Sequence, residues 1–277
     1  MTALILGLAL ALMAVTGGRS VFTGRLERIA SQGGAGYWLL ARDGGVFSFG
    51  DAPFLGANLN SGNDIIGLAS NGSNSGYWTA DDDGTVFNYG SAKDFGDRGG
   101  SADDLAGFAA RSQGDGYWFV SRTGVVTAKG AARNLGEPDV INGVRKPLPA
   151  GHQATGIVAT PSGNGYWVIA KDGGVFSYGD AAFFGSTGDI KLAQPIVAMT
   201  PAPGGDGYWF VASDGGVFNY GPGAGFYGSL GDKPPAGGIS GIAATASGHG
   251  YWLVGVNGKV YPFGDATSLG DLPSLNI

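Results

Sequence analysis

The stretch GYWVIAKDGGVFSYG, residues 165–179, contains the tripeptide Gly-Tyr-Trp, and all six tryptophans of the chain lie in copies of this tripeptide. The copies begin at Gly36, Gly76, Gly116, Gly165, Gly207 and Gly250. Successive copies are therefore separated by 40, 40, 49, 42 and 43 residues. Similarity at a nearly fixed period of about 40 residues is the signature of a repeat protein.

The same stretch predicts a β-hairpin. Aromatic and β-branched residues fill both of its halves, and Asp172-Gly173-Gly174 joins them. Four other copies have an Asp-Gly or Asn-Gly pair at this point, and such pairs accept the positive φ angles of tight turns. Every copy also has a valine nine residues after its tyrosine, with no insertion between them. We therefore expect the same hairpin in every repeat.

Short apolar runs flank the hairpin on both sides. The run GIVAT at 156–160 precedes it and AFFGS at 182–186 follows it, so we expect four antiparallel strands in each repeat. In the second strand Tyr166 would lie on one face and Trp167 on the other, because side chains alternate along a strand. A strand that is apolar on both faces must be covered on both.

Six four-stranded units that cover one another predict an all-β fold, a six-bladed β-propeller over residues 21–277. The predicted units are 26–59, 60–100, 101–140, 154–190, 191–232 and 237–277. The tyrosine and tryptophan of each tripeptide would fill the gaps between adjacent blades, and stacking on a base or sugar is the alternative role. The predicted structural core contains Trp38, Trp78, Trp118, Trp167, Trp209 and Trp252.

The repeat resembles those of kelch and tryptophan-aspartate propellers, and its aromatic strand followed by a glycine hairpin also resembles the tectonin-type lectin propellers. The resemblance covers about residues 26–272. In this chain no aspartate follows the tryptophan, and the Gly-Gly pair follows the Tyr-Trp pair, whereas kelch repeats have it before. The resemblance implies a propeller architecture but no particular function.

The N-terminus is an apolar segment, MTALILGLALALMAV at 1–15. It is shorter than the roughly 20 residues that span a bilayer. We expect residues 1–20 to be either an export signal or a retained segment that makes an assembly or membrane contact. The following FTGRL at 22–26 resembles FYGSL at 226–230. It predicts a lead-in strand that either helps to close the last blade or pairs with a neighbouring protein.

Composition excludes several kinds of site. The net charge of −6, without a basic cluster, argues against nucleic acid as a partner. No cysteine is present, and neither a nucleophile-elbow nor a zinc-protease motif occurs. The two histidines, His152 and His249, lie in different repeats, and DDDG at 81–84 lacks the spacing of an EF-hand loop. We predict no catalytic residues, no metal and no cofactor, with the DDDG stretch forming a solvated acidic turn.

The third repeat departs from the pattern. Thr127 and Lys129 replace two aromatic residues, and the repeat also carries Arg122 and Arg133. Breaks in a consistent pattern often mark functional sites. We therefore predict that Arg122, Lys129 and Arg133 bind an anionic partner, and the alternative is a diverged repeat whose Lys129 simply reaches solvent.

The function predicted from sequence is that of a non-catalytic binding module, extracellular or at a cell surface, which recognises a glycan or a surface protein. The alternative is a structural subunit of an extracellular particle, such as a phage tail or surface filament in a virion or cell envelope, docked through its N-terminus. A hydrolase acting on a glycan or ester ranks third, because no acid, base or nucleophile recurs in the repeats.

Overall fold

The computed structural model describes residues 26–30, 36–59, 62–99, 105–138, 140–141, 144–145, 148–149 and 151–275. Its strands are β1 Leu26–Ala30, β2 Tyr37–Ala41, β3 Val46–Phe49, β4 Ile65–Ser70, β5 Gly76–Asp81, β6 Val86–Gly90, β7 Leu105–Ala110, β8 Gly116–Ser121, β9 Val126–Gly130, β10 Val140–Ile141, β11 Val144–Arg145, β12 Ala154–Ala159, β13 Gly165–Ala170, β14 Val175–Gly179, β15 Ile196–Pro201, β16 Tyr208–Ala212, β17 Val217–Tyr220, β18 Ile239–Ala244, β19 Gly250–Gly255 and β20 Val260–Gly264. A 3-10 helix follows at Leu272–Leu275. The predicted N-terminal segment 1–20 and residues 22–25 of the predicted lead-in strand lie outside the described residues.

The strands form six antiparallel sheets of three strands, each in chain order. We call them units 1 to 6; they consist of β1–β3, β4–β6, β7–β9, β12–β14, β15–β17 and β18–β20. In the long connection between units 3 and 4, β10 and β11 form a separate two-stranded hairpin. In every unit the Gly-Tyr-Trp tripeptide lies at the start of the middle strand. The result is a repeated, propeller-like all-β fold.

The prediction of four strands per unit is wrong for the described residues, because each sheet has three. The expected fourth strand is an extended piece outside the ladder, which we call the return segment. The return segments are residues 51–56, 91–96, 131–136, 180–185, 222–228 and 265–270. In unit 4 the amide of Phe184 donates to the hydroxyl of Tyr208 in unit 5, over 3.1 Å, and that hydroxyl donates to the carbonyl of Gly185. Side-chain hydrogen bonds therefore replace those of a fourth strand.

The core lies between units. Six buried clusters each combine residues of two successive units, and the last combines unit 6 with unit 1. In each, the tryptophan of one unit packs on the tyrosine of the next, as with Trp167 and Tyr208, whose ring centres are 5.7 Å apart. Trp252 and Tyr37 make the same contact between units 6 and 1. The buried tryptophans are Trp38, Trp78, Trp118, Trp167, Trp209 and Trp252.

In five of the six units, two glycines make this packing sterically possible. A Cβ atom on Gly165, the glycine of the tripeptide, would lie 2.7 Å from the main-chain nitrogen of Ala181. Gly185, at the end of the return segment, has a φ of 136°, and a Cβ atom there would lie 2.4 Å from the ring of Tyr220 in unit 5. Glycine therefore lets the return segment lie against both its own middle strand and the next unit.

Candidate functional site

The first strands of the units surround three successive cavities. The widest, about 440 Å³, is lined by residues from the first strands of all six units. A second cavity, of about 100 Å³, shares apolar lining residues with the first, including Phe108 and Met199. The third, about 330 Å³, lies at the other end of these strands and is lined by residues of units 2 to 6.

The polar groups of the widest cavity already have partners within the fold. The hydroxyl of Thr160 donates to Asp180 over 2.9 Å, and that of Thr245 donates to Asp265 over the same distance. The guanidinium of Arg111 donates to the carboxylate of Asp115 over 2.7 Å. Alanine and proline side chains form much of the remaining wall. Among the described residues, the lining of this cavity includes no histidine, aspartate or glutamate.

The third cavity is different, because two exposed cations, Arg122 and Lys171, lie on its wall with the exposed Gln153. Its lining also includes the hydroxyl-bearing residues Thr155 and Ser240. We call it the basic cavity. Its size falls within the range of small-molecule sites, which is about 300–1,000 Å³.

The structure does not bring the three predicted binding residues of the third repeat together. Arg122 directly follows β8, whereas Lys129 pairs with Tyr117 at the start of that strand. Five residues of strand, about 16 Å, divide the two positions. Arg133 is exposed in the return segment of unit 3, where its carbonyl accepts a hydrogen bond from the indole of Trp118. Arg122 and Lys129 therefore do not form one patch, and the binding role of each stays a prediction.

Lys129 replaces an aromatic ring that contacts the preceding unit in the other five copies. In the other units an aromatic ring at this position lies against the glycine that ends the preceding return segment, as Tyr178 lies against Gly136. Nothing lies within 4 Å of a Cβ atom built on Gly96, the equivalent glycine of unit 2. The substitution therefore removes an interlock that the other interfaces have.

Three exposed phenylalanines were not predicted as site residues. Phe54, Phe183 and Phe226 are 48%, 60% and 59% exposed, and they occupy equivalent positions in the return segments of units 1, 4 and 5. The corresponding residues of the other units are Asp94, Asn134 and Ser268. Aligning the copies on the tyrosine brings these positions together, with one inserted residue before Phe226. Their exposure was not predicted, because the segment was expected to be a fourth strand of the sheet and it lies outside the sheet.

Lys171 and Gln153 were also missed as possible site residues. Arg122 and Lys171 both follow the tripeptide tyrosine by five residues. The residues at this repeat position are Arg42, Asp82, Arg122, Lys171, Ser213 and Val256. Aligning the repeats therefore shows a cation at the same repeat position in two successive units.

The DDDG stretch is less exposed than predicted. Asp81 is buried, and its carboxylate accepts hydrogen bonds from the amide of Thr85, over 2.8 Å, and from Asn63, over 3.3 Å. Burial, with the neighbouring Asp83, raises the pKa of Asp81 to about 6. Within the described ranges, no group of three or more histidine, aspartate or glutamate residues is placed to hold a metal ion.

No family model matches the chain, and no curated protein matches it. Among solved structures, it is similar to a structural genomics protein of unknown function from Bacteroides thetaiotaomicron VPI-5482, with 13% identity and a TM-score of 0.55 over 87% of this chain and 69% of that one. It is also similar to a chain in the crystal structure of the mitotic checkpoint complex, with 10% identity and a TM-score of 0.56 over 90% of this chain and 77% of that one. At these identities the likeness concerns the fold alone. The described residues include no helix that qualifies as a membrane span.

Proposed function

We propose that residues 21–277 form a closed six-bladed β-propeller that acts, without catalysis, as a glycan-binding module at the surface of a cell or particle. Closure is supported by the contacts between unit 6 and unit 1. The strand β1 contacts both β4 and β18, and Trp252 packs on Tyr37. Contacts of this kind at both edges of the first unit are what a closed ring of blades requires.

The exposed phenylalanines of the return segments carry the functional proposal. The main chain on both sides of Phe183 is held in place, because the indole of Trp167 donates to the carbonyl of Ala182 over 2.8 Å and the amide of Phe184 donates to Tyr208. An aromatic ring displayed on a fixed main chain loses little conformational entropy when a ligand packs on it. An exposed ring at the same repeat position in three units is the feature of this chain that suggests a contact surface.

A glycan suits these rings better than a flat apolar partner does. The residue just before each ring is small and uncharged, such as Ala182 before Phe183 and Gly225 before Phe226. The C–H faces of sugar rings pack well on open aromatic faces, and they need no deep pocket. Rings on several units would contact a polymer at several points, so weak contacts would add up to useful affinity.

A glycan array followed by titration of a polymeric ligand tests this function. The variant Phe183→Ser with Phe226→Ser places in units 4 and 5 the residue that unit 6 has at Ser268. We expect the double variant to bind at least tenfold more weakly, about 1.4 kcal/mol. The matched control is Asn134→Ser, which changes the same position in unit 3 and should leave binding unchanged.

Several outcomes would overturn the glycan proposal. They are no binding by the wild-type protein, full binding by the phenylalanine variant, or equal loss in the Asn134→Ser control. Shortening of the bound glycan during incubation would favour the hydrolase alternative. Isolation of the protein only within a high-mass particle, without glycan binding, would favour the structural-subunit alternative.

A further inference from the structure

Two cations occupy the same repeat position in successive units. Arg122 follows the middle strand of unit 3, and Lys171 follows that of unit 4. Both side chains are exposed, and neither forms an ion pair with any residue in the described part of the chain. In a protein with a net charge of −6, two neighbouring cations of this kind are a local exception.

Main-chain hydrogen bonds hold the two cations on either side of Gln153. The amide of Ala154 donates to the carbonyl of Arg122, and the amide of Lys171 donates to the carbonyl of Gln153, each over 2.9 Å. All four residues line the basic cavity. The main chain of three elements is therefore fixed at this wall, and only the side chains remain to adjust to a ligand.

In unit 1 the cation at this repeat position is neutralised by a carboxylate. There the cation is Arg42, and it is paired with Asp64, the residue just before the first strand of unit 2. The equivalent residue is Gln153 beside Arg122 and Pro195 beside Lys171. An amide and a proline thus stand where unit 2 provides a carboxylate, so the positive charge of both side chains is left available.

The carboxylate nearest to Lys171 in sequence already has partners. Asp172 accepts a hydrogen bond of 3.0 Å from the amide of Gly174, and it lies 2.5 Å from the Nδ1 atom of His152. Its charge is therefore committed to the hairpin turn and to the histidine.

We propose that the basic cavity binds a small oxyanion, a carboxylate- or phosphate-bearing molecule, between Arg122 and Lys171. The guanidinium of Arg122 can donate two parallel hydrogen bonds to such a group, and Lys171 adds a point charge. Gln153, whose main chain lies between theirs, can add the amide of its side chain as a neutral donor. This site is separate from the proposed glycan surface, because its lining includes none of the exposed phenylalanines of the return segments.

Isothermal titration with citrate and with inorganic phosphate, each at low and at physiological salt, tests the site. We expect binding of at least one of the two, weakening as salt rises because exposed charges are screened. Arg122→Gln with Lys171→Gln should lower the affinity at least tenfold. The matched control is Lys191→Gln with Lys233→Gln, which removes two exposed charges elsewhere and should bind as the wild type does.

A second variant tests the charge argument without removing a cation. Gln153→Asp recreates next to Arg122 the arrangement of Arg42 and Asp64, and it should abolish oxyanion binding while the protein stays folded by circular dichroism. Binding of neither probe by the wild type would overturn the proposal. So would unchanged binding in the Gln153→Asp protein, or an equal loss in the control. The phenylalanine variant should still bind the oxyanion, which distinguishes failure of this site from failure of the glycan surface.

Discussion

The hydroxyl of Tyr37 in unit 1 donates a hydrogen bond of 2.5 Å to the carbonyl of Gly270 in unit 6, across 233 positions of the chain. The same bond joins Tyr208 of unit 5 to Gly185 of unit 4. The contact between units 6 and 1 is therefore built like the contacts between successive units. Burial raises the pKa of Tyr37 to about 12, so its hydroxyl keeps the proton that it donates at all ordinary pH values.

Tyr37→Phe should destabilise the protein as much as Tyr208→Phe does. Each change removes one hydroxyl and leaves polar main-chain groups of a return segment without a partner, which costs about 1–3 kcal/mol for a buried group. Urea denaturation of the two variants and the wild type measures the difference. If Tyr208→Phe is destabilising and Tyr37→Phe is not, units 1 and 6 do not meet in solution.

The sequence predicts the repeat and its hairpins well, because each unit contains one copy of a motif whose meaning is local. Asp172 and Gly173 specify a turn by themselves, and Gly173 indeed has a φ of 79°. The return segment could not be predicted in this way. Its extended sequence is compatible with a strand, but its hydrogen-bond partner, such as Tyr208 for Phe184, lies in another unit.

The candidate sites were likewise predictable only in part, because their neighbours belong to other units. Arg122 is unusual in sequence because its repeat departs from the pattern, but its main chain is bonded to Ala154, next to Gln153 of the next unit. Lys129 departs from the pattern of the same repeat, but it pairs with Tyr117 at the start of β8, whereas Arg122 follows the end of that strand. A break in a repeat therefore shows that a residue is unusual, whereas only the packing of units shows which residues it meets.

Lys129→Tyr should stabilise the protein. The new ring would fill the space next to Gly96 and pack on Tyr117, as Tyr178 packs on Tyr166 with ring centres 5.5 Å apart. A well-placed aromatic pair contributes about 0.5–1.5 kcal/mol. The reverse change, Tyr178→Lys, should open an equivalent gap and be destabilising. Urea denaturation compares both variants with the wild type, and a loss of stability in Lys129→Tyr would show that the gap is too small for a ring.

Asp81 should make the protein less stable as the pH rises from about 4 to 6. Burial raises its pKa to about 6 from a normal value of 3.8, so in this range the folded state binds more protons than the unfolded state. The contribution of protonated Asp81 to the stability of the folded state is complete below pH 4 and is lost as the pH passes 6. Asp81→Asn cannot ionise, and its amide oxygen can still accept from Thr85.

The Asp81→Asn variant should therefore be more stable than the wild type at pH 7, by an amount on the order of 2 kcal/mol. The two proteins should differ little at pH 3.5. Denaturation at both pH values measures this, and the neighbouring Asp83→Asn serves as a contrast because the pKa of Asp83 is lowered, mainly by the hydrogen bond from Asp81. A constant difference between wild type and Asp81→Asn across the pH range would contradict the assignment.

Trp167→Ala should cost about 3–5 kcal/mol, the range for removing a large buried aromatic side chain. The indole packs on Tyr208 and donates to the carbonyl of Ala182, so its loss opens the interface between units 4 and 5 and frees the return segment. Trp167→Phe retains part of the ring contact but not the hydrogen bond. Its stability should therefore lie between those of the wild type and Trp167→Ala. Phe183→Ala, at an exposed ring beside that carbonyl, should change stability by less than about 0.5 kcal/mol. Urea denaturation that ranks Phe183→Ala as the more damaging change would show that the return segment is held by its outer face instead.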